Sequence, residues 1–305
     1  MTIPIAIVGG GKIARDQHIP SIAALGDFTL AAAVTTARSP LAEVANFRSI
    51  PEMMVAMPQV RAVALCTPPR GRHAQVMQAI QHGLDILNEK PPAATLSEAA
   101  DFAASAKAAG VVLYQTWHSR EAAAVEPAAR WLAGKAIRRV VVTWKEDVRV
   151  WHPGQEWIWE PGIGIFDPGI NAISVITKIL PGPLTLERAE LRFPENKAAP
   201  IAASLAYAGN GFPVTAEFDF DQKGPQTWDI DIDTDGGALK LSMGASKMAV
   251  NGKAVNVGEE PEYFHLYRRF AALVKGRQSD ADFTPFAHVA DAFMLGRRSV
   301  IEPFE

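Results

Sequence analysis

The sequence predicts an α/β protein. An N-terminal doubly wound parallel sheet of the Rossmann kind is followed by a C-terminal α/β domain with an open, mainly antiparallel sheet. Three observations predict this. Apolar runs of strand length alternate with helical patterns through the first 120 residues or so, the mark of repeated β-α-β units. Three glycines, Gly9-Gly10-Gly11, directly follow the first strand. From about residue 184 strand follows strand, with Gly209-Asn210-Gly211, Gly236-Gly237 and Asn251-Gly252 at the turns, and Asn-Gly is a strong hairpin signal. At 305 residues two domains suit this class, and the change of composition after His118 places them at 1–119 and 120–305.

Taken in order, the run Ile3–Val8 is nearly continuous in apolar residues and rich in β-branched ones, as a strand buried on both faces should be. Further strands are expected over 28–34, 60–65, 84–88 and 111–115, with helices over 53–57, 73–82 and 97–109 between them. A helix over 122–132 then leads to a strand over 140–144 and a segment dense in proline and glycine. The next helix begins near Pro168, with Ile170, Ile173, Ile176 and Leu180 at helical spacing. Six strands are expected over 185–193, 201–207, 214–220, 227–232, 238–242 and 248–250. Val214, Ala216, Phe218 and Phe220 alternate with Thr215, Glu217 and Asp219, so one sheet face is covered and the other is less apolar. That open face could pair with another copy of the chain, giving a homo-oligomer. Helices over 262–275 and 287–300 close the chain, and the last, from about 285 to 300, is expected to pack on the first domain.

Composition narrows the functions. A formal net charge of −3 gives no electrostatic case for a nucleic acid or an anionic membrane. No apolar stretch approaches the roughly 20 residues that span a bilayer, and the glycines cut the N-terminal apolar run too short for a signal peptide. Cys66 is the only cysteine, so no intrachain disulfide forms and a cytoplasmic setting is expected. No metal-ligand spacing is present. His18, His73, His82 and His265 are scattered and read as ordinary hydrogen-bonding residues.

In a doubly wound sheet, ligands gather at the carboxyl ends of the strands. Those ends read Gly9 to Gly11, then Thr35, Thr36 and Arg38, then Cys66-Thr67-Pro68-Pro69, then Glu89-Lys90-Pro91, then Trp117-His118. Gly9, Gly11 and Ala14 match the Gly-x-Gly-x-x-Gly/Ala pattern, in which the first residue allows a tight turn and the second admits a pyrophosphate. The small third residue lets helix and strand pack closely. A dinucleotide is therefore expected here, with Lys12 and Ile13 at the helix start beside its phosphates. Thr67, Pro68, Glu89 and Lys90 extend the same site. The second strand ends without the acid that receives the ribose hydroxyls of NAD and offers Arg38 instead, which favours NADP with NAD tolerated. Pro91 and Pro92 stiffen the chain after Lys90, whose ammonium would stabilise a developing alkoxide.

The segment 144–171 holds four of the seven tryptophans, the acids Glu146 and Asp147, and His152 among prolines and glycines. Aromatic faces together with carboxylate, imidazole and amide groups suit a polyhydroxylated ligand. It reads as an ordered loop ending in a helix, with Asp167 as N-cap, Pro168 at the first helical position, and Asn171 one turn along.

With these residues collected, the chain resembles the glucose-fructose oxidoreductase and inositol dehydrogenase family, and within it the aldose 1-dehydrogenase branch acting on L-arabinose or D-galactose. The motifs are Gly9-Gly10-Gly11-Lys12-Ile13-Ala14, Cys66-Thr67-Pro68-Pro69, Glu89-Lys90-Pro91-Pro92 and Trp117-His118-Ser119-Arg120. Further along they are Trp144-Lys145-Glu146-Asp147, Trp151-His152-Pro153-Gly154-Gln155, Trp157-Ile158-Trp159 and Phe166-Asp167-Pro168-Gly169-Ile170-Asn171. The resemblance runs from end to end. It implies a dinucleotide-binding domain, a substrate domain whose open sheet forms dimer contacts, and metal-free hydride transfer. Inositol-oxidising relatives carry a His four residues after the Asp. Here Asn171 stands there, and an amide cannot take a proton, which leaves Asp167 or Lys90 as the base.

The expected chemistry is removal of the anomeric proton by Asp167 assisted by Lys90, as hydride leaves C1 of an aldopyranose for the cofactor, giving a lactone. His118, Glu146, Trp151, His152 and Asn171 are the expected sugar contacts. Two other expectations stand beside it. A relative oxidising an inositol or another ring hydroxyl would yield no lactone, and a cofactor-binding sensor would do no chemistry.

Overall fold

A computed structural model describes residues 2–36 and 41–305. The chain divides into two compact units, Met1–Trp117 with Pro261–Phe283 and His118–Glu260 with Thr284–Glu305.

The first unit contains β1 (Ile3–Val8), a π-helical turn Ala14–His18 continuing into α1 (Ile19–Ala24), β2 (Phe28–Val34), β3 (Ala45–Phe47) and α2 (Ile50–Ala56). It goes on with β4 (Ala62–Leu65), α3 (Arg72–Gln81), β5 (Asp85–Asn88), α4 (Leu96–Ala109) and β6 (Leu113–Gln115). The sheet order is β3-β2-β1-β4-β5-β6 and each of its pairings is parallel. This is the doubly wound order, with its switch point between β1 and β4. The short edge strand β3 was not expected, because its three residues, two of them exposed, carry no apolar run. Ser49 and Thr95 cap α2 and α4 by accepting from Glu52 N and Glu98 N. The two glutamates reach back to Arg48 N and Ala94 N, so both helix starts follow the Ser/Thr-x-x-Glu pattern.

The second unit runs through α5 (Val125–Leu132), β7 (Ile137–Lys145), α6 (Val148–Trp151), α7 (Phe166–Ile179), β8 (Thr185–Pro194), β9 (Ala202–Ala208) and β10 (Pro213–Asp219). β11 (Thr227–Thr234), β12 (Gly237–Ser242), β13 (Lys247–Val250) and β14 (Lys253–Val255) follow. The chain then re-enters the first unit as α8 (Glu262–Gly276) and ends in the second as α9 (Thr284–Leu295) and β15 (Arg297–Ile301). The nine-stranded sheet has the order β14-β13-β12-β11-β7-β10-β9-β8-β15. Its pairings are antiparallel except β7 with β10 and β8 with β15, so it is mixed and mainly antiparallel, as expected. Along β10, Val214, Ala216 and Phe218 are buried while Thr215 and Glu217 are exposed, in keeping with period-2 alternation.

One expectation about the C-terminal part needs correction. The helix expected over 287–300 ends at Leu295, and after Gly296 the chain turns into β15 beside β8. α8, just before that helix, belongs to the first unit. Its Tyr263, Leu266, Tyr267, Phe270 and Ala271 join Ile5, Ile7, Phe28, Ala33 and Tyr114 in one buried cluster, with Phe270 stacked on Phe28 at 5.3 Å. α9 instead places Phe293 5.2 Å from Phe166 of α7. Among the described residues, no helix is long and apolar enough to cross a membrane.

Candidate active site

The first unit brings the glycine turn of β1 against the loop that leaves β4. Gly9 has φ +101°, and a Cβ there would stand 3.0 Å from both the Cys66 carbonyl carbon and Thr67 N. A Cβ on Gly11 would meet nothing within 4 Å. One glycine therefore permits the close turn and the other leaves its side of the turn open, which fits a dinucleotide phosphate. Lys12 is exposed and paired with Asp16. Thr35 is half-buried and Thr36 exposed at the end of β2, whereas Arg38 lies outside the described residues. Thr67 Oγ1 donates to Gln75 Oε1 at 2.6 Å, and Pro68 is exposed.

Glu89, expected at the cofactor site, has a side chain that is buried and engaged within the unit. Oε1 lies 2.9 Å from the Tyr263 hydroxyl and 3.0 Å from His18 Nε2, and Oε2 accepts from Lys90 N at 2.9 Å. Its carboxylate thus fixes the backbone of Lys90, itself half-buried. His18 is fully buried, with Nδ1 2.8 Å from the Tyr267 hydroxyl. Burial opposes charge on its ring, but Cys66, Tyr267 and Glu89 around it prevail and raise its pKa.

Arg72, at the start of α3, is a residue that sequence reasoning missed. Its guanidinium is buried and donates to the carbonyls of Thr67, Glu89 and Pro91, the last at 2.5 Å. Burial pushes it down to about 10 against the raising influence of Glu89 and Cys66, so it is charged at neutral pH. One cation therefore ties together the two strand-end loops that carry Thr67 and Lys90.

The second unit gathers an acid-imidazole cluster. Trp144 lies on the covered face of β7, and Glu146 keeps the same parity just past the strand end, so its carboxylate is buried too. Asp147 caps α6 by accepting from Arg149 N at 3.0 Å and from Arg149 Nε at 2.8 Å. The hydrogen bond from the Arg149 side chain holds the Asp147 carboxyl below the usual carboxylate range. α6 then presents His152, whose Nε2 lies 2.9 Å from Glu146 Oε1. Trp228 of β11, directly opposite Trp144, donates its indole N–H to Glu146 Oε2 at 2.9 Å and packs 4.7 Å from the half-exposed Trp151 ring. Trp228 was also missed. Its alternation with Ile230 and Ile232 on the buried face was the available signal.

Asp167 is not the N-cap that was expected. α7 begins at Phe166 after Ile165, whose side chain makes no capping bond, so Asp167 sits inside the first turn and turns Oδ2 to within 3.8 Å of His152 Nδ1. Tertiary contact overrides the local signal: Ile165 N donates to Pro200 O at 2.8 Å and Asp167 N to Gly164 O at 2.9 Å. Gly164 has φ +62°, and a Cβ would stand 2.3 Å from Pro200 O. Gly164→Ala should therefore lower the unfolding free energy by about 1–3 kcal/mol, read as a lower urea midpoint. Glu146, His152, Asp167 and, through Trp228, Trp151 thus form one group. Asn171 is half-buried one turn past Asp167, and His118 is half-buried in the 3-10 turn His118–Glu121, with Nδ1 3.4 Å from Ser119 Oγ.

Comparison with known proteins gives four further findings. The model of the GFO/IDH/MocA oxidoreductase family, described as an NAD-binding Rossmann fold, matches residues 3–116. Galactose 1-dehydrogenase of Pseudomonas fluorescens is 45% identical over 307 residues, spanning 99% of this chain and 98% of that protein. The crystal structure of a D-galactose-1-dehydrogenase protein from Rhizobium etli matches with a TM-score of 0.95 at 48% identity, covering 100% of this chain and 98% of the other. At the level of fold alone, a 3-ketoreductase from Actinomadura kijaniata, solved with NADP and TDP-benzene, matches with a TM-score of 0.87 at 16% identity, over 99% of this chain and 100% of that one.

Proposed function

The chain belongs to the glucose-fructose oxidoreductase and inositol dehydrogenase family, and from that premise we propose that it is an NAD(P)-dependent aldose 1-dehydrogenase. Its substrate is an aldopyranose of the L-arabinose or D-galactose type, oxidised at C1 to the lactone. The observation that carries this reading is full-length likeness to galactose 1-dehydrogenases at 45% and 48% identity, which extends through the substrate half and not only through a fold shared by many activities.

The dinucleotide, when bound, supplies the hydride acceptor, and Gly9, Gly11, Thr67 and Lys90 are the residues proposed to hold it. Asp167 takes the proton of the anomeric hydroxyl, and the Lys90 ammonium stabilises the oxygen as charge develops. His118, Asn171 and the Glu146–His152 pair hold the sugar's hydroxyls, with Trp151 as an apolar wall. In this reading residues 1–119 serve the cofactor, residues 120–305 serve the sugar, and the exposed face of the nine-stranded sheet is where copies associate, in a cytoplasmic setting. The test is near-ultraviolet absorbance of the reduced cofactor across a panel of aldoses, inositols and other polyols. Turnover of D-galactose or L-arabinose is expected. Turnover of inositols alone would assign the chain to the ring-hydroxyl oxidisers, and silence on every compound would point to a sensor.

NADP is the proposed preferred cofactor, because the chain after β2 offers Thr35, Thr36 and Arg38 and no acid for a ribose hydroxyl. Equilibrium titration should give tighter binding of NADP than NAD, with Arg38→Ala removing most of the difference. An NAD preference that survives Arg38→Ala contradicts the assignment.

A further inference from the structure

Glu146 is 2% exposed and both of its oxygens are engaged, Oε1 by His152 Nε2 at 2.9 Å and Oε2 by the Trp228 indole N–H at 2.9 Å. A carboxylate only accepts, so the hydrogen in the His152–Glu146 bond resides on Nε2. The neutral ring then keeps its lone pair on Nδ1. That nitrogen is buried, makes no hydrogen bond, and stands 3.8 Å from Asp167 Oδ2. A lone pair thus faces a carboxylate oxygen, and a single proton delivered to either atom allows a charge-assisted bond between them. Asn171, one turn along the same helix, cannot accept that proton, since an amide nitrogen is a donor and its oxygen is not basic.

We propose that His152 is the proton-accepting partner of Asp167, with Glu146 fixing the tautomer that makes it so. The proposal rests on the aldose 1-dehydrogenase reading. The sugar O–H bond breaks, its proton joins Asp167 Oδ2, and its electron pair forms the carbonyl of the lactone. The C1–H bond breaks in the same event, its pair leaving as hydride to an oxidised nicotinamide dinucleotide. The proton then moves from Oδ2 to Nδ1, which restores the Asp167 carboxylate and leaves an imidazolium bonded to Glu146. Water takes the proton from the ring before the next turnover. The arrangement uses the logic of an acid that orients and steadies an imidazole, here with the imidazole receiving its proton from a second carboxylate.

The experiment compares wild type with His152→Asn and His152→Ala, using oxidised cofactor and D-galactose. Asparagine keeps an acceptor near the Nδ1 position but takes no proton. Both variants should lose on the order of 10² in kcat, His152→Asn should keep its sugar KM within about threefold, and added imidazole should restore roughly tenfold to His152→Ala. In cofactor-free protein, 15N NMR should show His152 with its hydrogen on Nε2, and Glu146→Gln should weaken that preference. A His152→Asn enzyme that keeps kcat and raises only KM would leave His152 with its hydroxyl-holding role alone and overturn the proposal, as would an Nδ1–H tautomer. Loss of activity in His152→Ala with no response to imidazole also counts against it. Should wild type turn over no aldose while the Nε2–H tautomer is present, the functional reading fails and the relay fails with it. Should wild type be active and His152→Asn match it, only the relay fails.

Discussion

Asp167→Asn is expected to lower kcat by on the order of 10² to 10⁴, the usual cost of removing a general base, with little change in the sugar KM. Asparagine has the same shape and still accepts a hydrogen bond, so a role confined to holding the sugar would leave kcat nearly intact. The fold should tolerate the change. Asp167 sits inside the first turn of α7 and not at its N-cap, because the helix begins after Ile165, and the cost is the favourable contact of a negative charge with the helix start, about 0.3–1 kcal/mol. The amide would also meet His152 Nδ1, 3.8 Å from Oδ2 in the native chain, and could donate to it. Lys90→Ala should reduce kcat as well, since an alkoxide would then form without its ammonium. Stopped-flow measurement of a single turnover separates these effects from product release. Near-normal turnover in both variants would contradict the assignment of the base.

The second large effect is structural and belongs to the other unit. Arg72→Met should destabilise the first unit by about 3–5 kcal/mol, the range found when one member of a buried charged network is removed. The methionine fills much of the volume but leaves the carbonyls of Thr67, Glu89 and Pro91 without the donors they have in the native chain, and removes the Arg72 charge from beside the Glu89 carboxylate. Arg72→Lys should recover only part of the loss, because a single ammonium cannot span three carbonyls as a planar guanidinium does. Urea unfolding followed by tryptophan fluorescence measures the cost. Cofactor titration of Arg72→Lys, which retains charge, reports whether the two loops have lost their relative placement. Equal stability in Arg72→Met and wild type would show that the three contacts contribute nothing net.

What the sequence disclosed follows how local each signal is. β1, its glycine turn and the parallel strands β2, β4, β5 and β6 were legible because apolar runs and glycines lie within a few residues of one another. β3 was not, since its pairing with β2 is set by the partner strand and not by its own three residues. The Asp-Pro step at 167–168 is a sound local cue for a cap, yet a bond from Ile165 to Pro200, 35 residues away, starts the helix two residues earlier. The Glu146–His152–Asp167 group was partly legible as residue types in one segment. Trp228, which completes it, comes from a strand more than 60 residues on and becomes a neighbour only through the β7–β11 register. Arg72 gave no sign at all, because a lone arginine at a helix start reads as a solvated cation. α8 carries a local signal of its own: Tyr263, Tyr267 and Phe270 form an aromatic stripe at helical spacing, and that stripe enters the first unit's core.

The most direct test of the proposed chemistry follows the hydrogen on C1. D-Galactose or L-arabinose deuterated at C1 is incubated with the protein and oxidised cofactor, and both products are examined by mass spectrometry and NMR. Transfer of hydride from C1 predicts deuterium in the reduced nicotinamide and an unlabelled lactone as the sugar product. Reduced cofactor without deuterium, with the label retained at C1 of an oxidised sugar, would mean that another carbon is the hydride donor and would contradict the C1 chemistry proposed for this chain.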